Sequence, residues 1–195
     1  MSETQNKVTF GICNACYAKA TLQSDGSYEF SAVKSLPNIT QMTANVLGGK
    51  TDVYADNKVV ATLTSYAGQE LSLTFTEIDD DFKKDILGYI IDEEGGLNEV
   101  ADAQLQTFAF GCQIEGDKYA RRIWYYLCTA TNPGESSSTK TDSPEANAPE
   151  MTITSRPITI NGHEVVRRIL KTTDAKYNEF LTKVSLPTFT NSEVL

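Results

Sequence analysis

The sequence predicts a mainly β protein, a sandwich or barrel with one or two flanking α-helices, and three observations predict it. Leu71, Leu73 and Phe75 alternate with Ser72, Thr74 and Thr76, the period of a strand buried on one face. Runs rich in β-branched residues recur at 38–46, 59–66 and 151–157. Turn pairs separate them: Asp25-Gly26, Gly48-Gly49, Asp56-Asn57, Ala67-Gly68 and Asn161-Gly162. Short strands at that spacing point to a sandwich or barrel. A chain of 195 residues suits a single domain spanning 1–195 with a sizeable core.

The elements follow in order. In "DDDFKKDILG", Asp79, Asp80 and Asp81 favour a helix N-terminus, Phe82, Ile86 and Leu87 form its apolar face, and Gly88 stops it. Phe108, Phe110, Cys112 and Ile114 then give one apolar strand face. The returning strand, "ARRIWYYLC", carries bulk on both: Arg121, Ile123, Tyr125 and Leu127 at odd positions, Arg122, Trp124, Tyr126 and Cys128 at even ones. Such a strand is covered on both sides, by the core and by a helix or a neighbouring chain. Residues 132–150 have three prolines, a Ser/Thr cluster and almost no apolar residue, so they read as a long exposed inter-strand loop. A second helix is expected at 174–184, where Asp174 is the N-cap, Tyr177, Phe180, Leu181 and Val184 share a face, and Pro187 closes.

Composition excludes several functions. Acids outnumber bases 26 to 17, a net charge of −9, and residues 77–102 alone hold ten acids and two lysines. Such a chain does not grip nucleic acid, which relies on Lys and Arg to displace counterions. Cys13 and Cys16 form a C-x-x-C with no second pair to complete a zinc set, so no metal is expected. Cys112 and Cys128 stand at unequal distances from the Gly116-Asp117 turn, and no disulfide is needed. His163, the one histidine, has no serine nucleophile motif to serve, and Asp92, Glu93 and Glu94 lack EF-hand spacing. No catalytic residue, no enzymatic activity and no cofactor are expected. The opening "MSETQNKVTF" lacks the layout of a secretory signal, and no run of about 20 apolar residues occurs, so folding in a cytoplasm is the expectation.

Beyond these physical signals, the order "LTFTEIDDDFKKDILGY", "IDEEGGLNEVADAQ", "FAFGCQIEGDKYARRIWYYLCTATNPGESSSTKTDSPEA" and "MTITSRP" closely resembles the major tail protein, or tail tube protein, of long-tailed bacteriophages, most of all the group from phages of Gram-positive hosts. The opening "FGICNACYA" is similar too. The resemblance implies a structural virion protein, assembled in the host cytoplasm, whose copies form stacked hexameric rings around a channel for DNA passage during infection. It also implies a tail-tube β-sandwich or barrel with extended arms, here residues 1–20 at the N-terminus and a helix and tail at 174–195. The partners it implies are other copies of the chain and the tape measure, tail terminator and distal tail proteins. Genomic DNA would pass without specific binding, and no membrane is involved.

On that footing the strands at 39–47, 59–66, 70–77 and 107–115, which contain no Lys or Arg, offer a wet wall that does not pair with phosphate. The candidates for the lumen are Thr40, Thr62, Thr64, Ser72 and Thr74. The loop at 132–150, with Pro133, Glu135, Ser137, Lys140 and Asp142, is the candidate contact between rings. Arg121, Arg122, Trp124, Tyr125 and Tyr126 form the candidate strand at the subunit interface. Two other readings stand beside this one: the tube of a phage-tail-like bacteriocin, and a β-sandwich carbohydrate-binding module, against which the missing secretory signal speaks.

Overall fold

The computed structural model describes residues 11–134 and 148–189. Strand β1 (Ile12–Leu22) is followed by the short β2 (Tyr28–Phe30) and β3 (Lys34–Ser35), then β4 (Ile39–Leu47). A hairpin of β5 (Lys50–Ala55) and β6 (Lys58–Thr64) precedes β7 (Gly68–Phe75). Helix α1 (Asp80–Phe82) runs directly into a wider π-helical turn (Lys83–Leu87). Small strands β8 (Ile90–Ile91) and β9 (Leu97–Asn98) lead to β10 (Phe108–Ile114), β11 (Arg122–Ala130) and β12 (Glu150–Ser155). Last come β13 (Ile158–Ile160), β14 (His163–Val165) and β15 (Arg167–Leu170).

Nine strands form one antiparallel sheet in the order β2-β1-β10-β11-β12-β7-β4, with β15 added to β11 and β3 to β1. The alternation in "LSLTF" works as expected: Leu71, Leu73 and Phe75 are fully buried while Ser72 and Thr74 face away. With Met151 and Ile153 of β12 they share one core with Tyr17, Phe108, Phe110, Ile123 and Tyr125 from the other arm of the sheet. The two arms meet in β11. Its first half pairs with β15 through Arg122–Tyr125, its last residues pair with β12, and Leu127 between them adopts φ 39°. That single extra residue reverses the alternation. Ile123 and Tyr125 face the main core before it, and Cys128 and Ala130 face the same core after it.

The first helical segment lies where the sequence places it. The Asp79 carboxylate accepts from the Asp81 amide at 2.9 Å, Phe82, Ile86 and Leu87 are buried, and Gly88 ends it at φ 76°. A Cβ on Gly88 would also stand 2.9 Å from the Ala103 Cβ. Phe82 packs edge-on between Tyr17 and Phe108, at 5.0 and 5.6 Å between ring centroids.

Two expectations need correction. Residues 12–20 are no arm: they belong to β1, which pairs with β10 and buries Ala15, Cys16, Tyr17 and Ala18; residues 1–10 lie outside the described ones. The helix expected at 174–184 is a chain of turns. Its amides bond three residues back, Tyr177 to Asp174 and Phe180 to Tyr177. Carbonyls of this segment and of the residues just after it also accept from side chains of the sheet. Arg122 donates to the Tyr177 carbonyl, Trp124 to that of Phe180, Tyr126 to that of Ser185 and Arg168 to that of Leu186.

Candidate assembly surfaces

Three surfaces could bring copies together. The first is the outer face of β4, β7 and β12. Register places Thr43, Ser72 and Thr152 in one row, Asn45, Glu70, Thr154 and Thr129 in the next, and Gln41, Thr74 and Glu150 in a third. Opposed residues of an antiparallel pair share a face, so these rows form a hydroxyl and amide grid with two carboxylates and no cation. Of the lumen candidates, Ser72 and Thr74 lie on this grid. Thr40 sits at the bulge of β4, where its hydroxyl donates to the Thr74 carbonyl at 3.1 Å. Among the described residues, β4 is the last strand on that side of the sheet.

Thr62 and Thr64 are elsewhere, on the second surface, the β5–β6 hairpin. Thr62 donates to the Asp52 carboxylate at 2.6 Å and Thr64 opposes Lys50. Every residue of β6 is exposed, and Leu63 is 62 % and Tyr54 67 % accessible. Val53 and Leu63 share one side of the ribbon, an apolar stripe with no cover from the rest of the described chain. The neck is tight: a Cβ on Gly48 would lie 2.1 Å from the Ser65 carbonyl oxygen, and one on Gly68 2.0 Å from that of Ser155. The expectation for 107–115 is also corrected. Ala109 and Gly111 of β10 face Trp124 and the second core, so this strand is buried on both sides and lines nothing.

The third surface is β11. Both its faces are covered, but by this chain alone. Trp124 and Tyr126 pack with Ile158 and Phe180 of the C-terminal segment, and Tyr125 packs in the main core. Trp124, Tyr125 and Tyr126 therefore present no side-chain surface to a neighbour, contrary to the expected subunit-interface strand. Arg121 is spent on Asp117, at 2.9 Å, and holds that carboxyl below its usual range. Arg122 stacks on Tyr177 at 4.2 Å and donates to Gln113. Among the ring-contact candidates, Pro133 is half-buried beside the Gly134–Glu150 bridge, whereas Glu135, Ser137, Lys140 and Asp142 lie outside the described residues.

The cysteines offer no reactive thiolate: all four are free, and burial pushes Cys16 and Cys128 up to about 12 and Cys112 higher still. Among the described residues no group of His, Cys, Asp and Glu is arranged to hold a metal ion, and no helix is long and apolar enough to cross a membrane.

Comparison with known proteins gives the following. The family described as phage tail tube protein matches residues 7–191. No curated protein matches the chain. Among solved structures, a chain from the cryo-EM structure of the anti-feeding prophage cap (AFP tube terminating cap) is 10 % identical with a TM-score of 0.43, covering 88 % of this chain and 99 % of that one. A chain from the six-fold symmetrised cryo-EM structure of the anti-feeding prophage baseplate is 7 % identical with a TM-score of 0.38, covering 85 % of this chain and 99 % of that one.

Proposed function

Because the chain belongs to the phage tail tube protein family, a family of structural tail components and not of enzymes, we propose that it is the repeating subunit of a tube of stacked hexameric rings, with the grid of β4, β7 and β12 lining a channel for DNA. The observation that carries the reading is that cation-free polar face, set against a core on its other side. A polyanion moving past it meets hydroxyls, amides and carboxylates, exchanges no counterions and is not held. The outer edge of β4, unpaired among the described residues, supports the same reading, since such an edge is a template for another strand and ring closure removes it. The β5–β6 hairpin and the sequence stretch 132–150, of which 135–147 lie outside the described residues, are the segments that would reach the next ring.

Negative-stain electron microscopy of the purified full-length protein tests the reading. The expected result is hollow cylinders of uniform width. Isolated particles alone, at high concentration and in the presence of a tail initiation complex, would sink it.

A further inference from the structure

β11 runs from a basic corner to an acidic one. At its start, the turn at 115–121 meets the segment after β15: the Thr172 amide donates to the Tyr119 carbonyl at 3.1 Å, and the Tyr177 hydroxyl to that of Ala120 at 2.6 Å. Lys118 and Lys171, both exposed, hold their ammonium groups 5.0 and 5.3 Å from the centre of the Tyr119 ring. With Arg121, Arg122 and Lys176, the two segments 115–122 and 171–179 hold five cations against Glu115, Asp117, Asp174 and Glu179, a net of +1 on a chain of −9.

The other corner carries the acidic stretch 77–102. Its helix packs on Phe108, at the start of β10, and Asp85 pairs with Lys19 and Lys34 of β1 and β3. Its far side is tied by Glu99, which accepts from Asn132 just past the end of β11. The stretch carries a net of −8, or −6 with those two lysines counted. Glu93 and Glu94, in the turn between β8 and β9, are exposed. The seven residues of β10 alone separate the corners by roughly 20 Å. That is about two Debye lengths at 0.1 M salt, so one subunit cannot neutralise its own poles.

We propose that the corner of Lys118, Tyr119, Lys171 and Arg122 docks the 92–99 stretch of a second copy, head to tail. Two copies at −9 repel at long range, and this pairing is where the charges of one chain complement those of the next. Since the two patches differ, the contact is heterologous and leaves a free patch at each end, which permits growth and sets its direction. The inference rests on the tube reading.

Tube growth by the purified full-length protein, followed by light scattering and negative-stain microscopy, tests it. Charge reversal at either end, Lys118→Glu with Lys171→Glu or Glu93→Lys with Glu94→Lys, should raise the critical concentration on the order of tenfold at about 50 mM salt, with the gap closing near 500 mM. The chain carrying all four substitutions should grow again. Lys118→Gln with Lys171→Gln, which adds no repulsion, should show a smaller loss and serves if a reversed variant does not fold. Folded variants that grow like the parent, or a fourfold variant that stays silent, overturn the docking while leaving the tube intact. A parent chain that forms no tubes overturns both.

Discussion

Trp124 touches no solvent, and its indole N–H donates to the Phe180 carbonyl at 2.6 Å. Trp124→Phe keeps an aromatic ring but leaves that carbonyl buried and unpaired, a cost of about 1–3 kcal/mol. Urea unfolding should show a lower midpoint with an unchanged slope. Asp85 makes a second prediction. Burial alone would raise its carboxyl, but hydrogen bonds from Lys34, Lys19 and Tyr17 outweigh that and hold it at about 2, below the ordinary 3.8. The folded value is the lower one, so the stabilisation is complete above about pH 4 and is lost as the pH falls towards 2. Melting temperatures of the parent should drop across that window more steeply than those of Asp85→Asn. Neither site was legible in the sequence, because each joins residues distant along the chain: Trp124 with Phe180, and Asp85 with Lys19. Cys128 shows the same limit. Counting by twos puts it with Trp124, and the extra residue at Leu127 moves it to the opposite face.

Among the elements, β7 and the helix after Asp79 were legible because their patterns are local: alternation in one, capping and a Gly stop in the other. The segment at 174–184 was misread because its apolar spacing suits a helix, while the donors that claim its Tyr177 and Phe180 carbonyls stand on β11. Residues 59–66, most of them in β6, are read from the sequence as part of the wall, since β-branched residues do not say whether a strand joins the sheet or leaves it. A two-stranded ribbon is marginal in water, and this one carries Val53 and Leu63 uncovered. Val53→Ser with Leu63→Ser should shift subunit stability by no more than about 0.5 kcal/mol for each exposed site. Tube length in micrographs should fall sharply. Tubes of normal length would remove the hairpin from the contact between rings.

At the scale of the whole molecule, the charge balance was legible from composition, and its placement was not. Whether the acids lined one face or one end depended on where the helix packed, which only the tertiary contacts to Tyr17 and Phe108 decide. The grid of β4, β7 and β12 makes the last prediction. Thr43→Lys, Ser72→Lys and Thr152→Lys together place three cations in one row of the proposed wall. Tubes should still form, and DNA release from the particles should slow, as measured by the time course of ejection. Release at the parent rate would show that this face does not meet DNA.

The lid over Trp124 and Tyr126 has a consequence for synthesis. The carbonyls that accept from them, at Phe180 and Ser185, are encoded more than fifty residues later. During translation, the Trp124 indole N–H and the Tyr126 hydroxyl stay without these partners until residues 180–185 have left the ribosome. A nascent chain that stops short of Ser185 is thus an unfinished part, and residues 180–185 certify the unit as ready to join others.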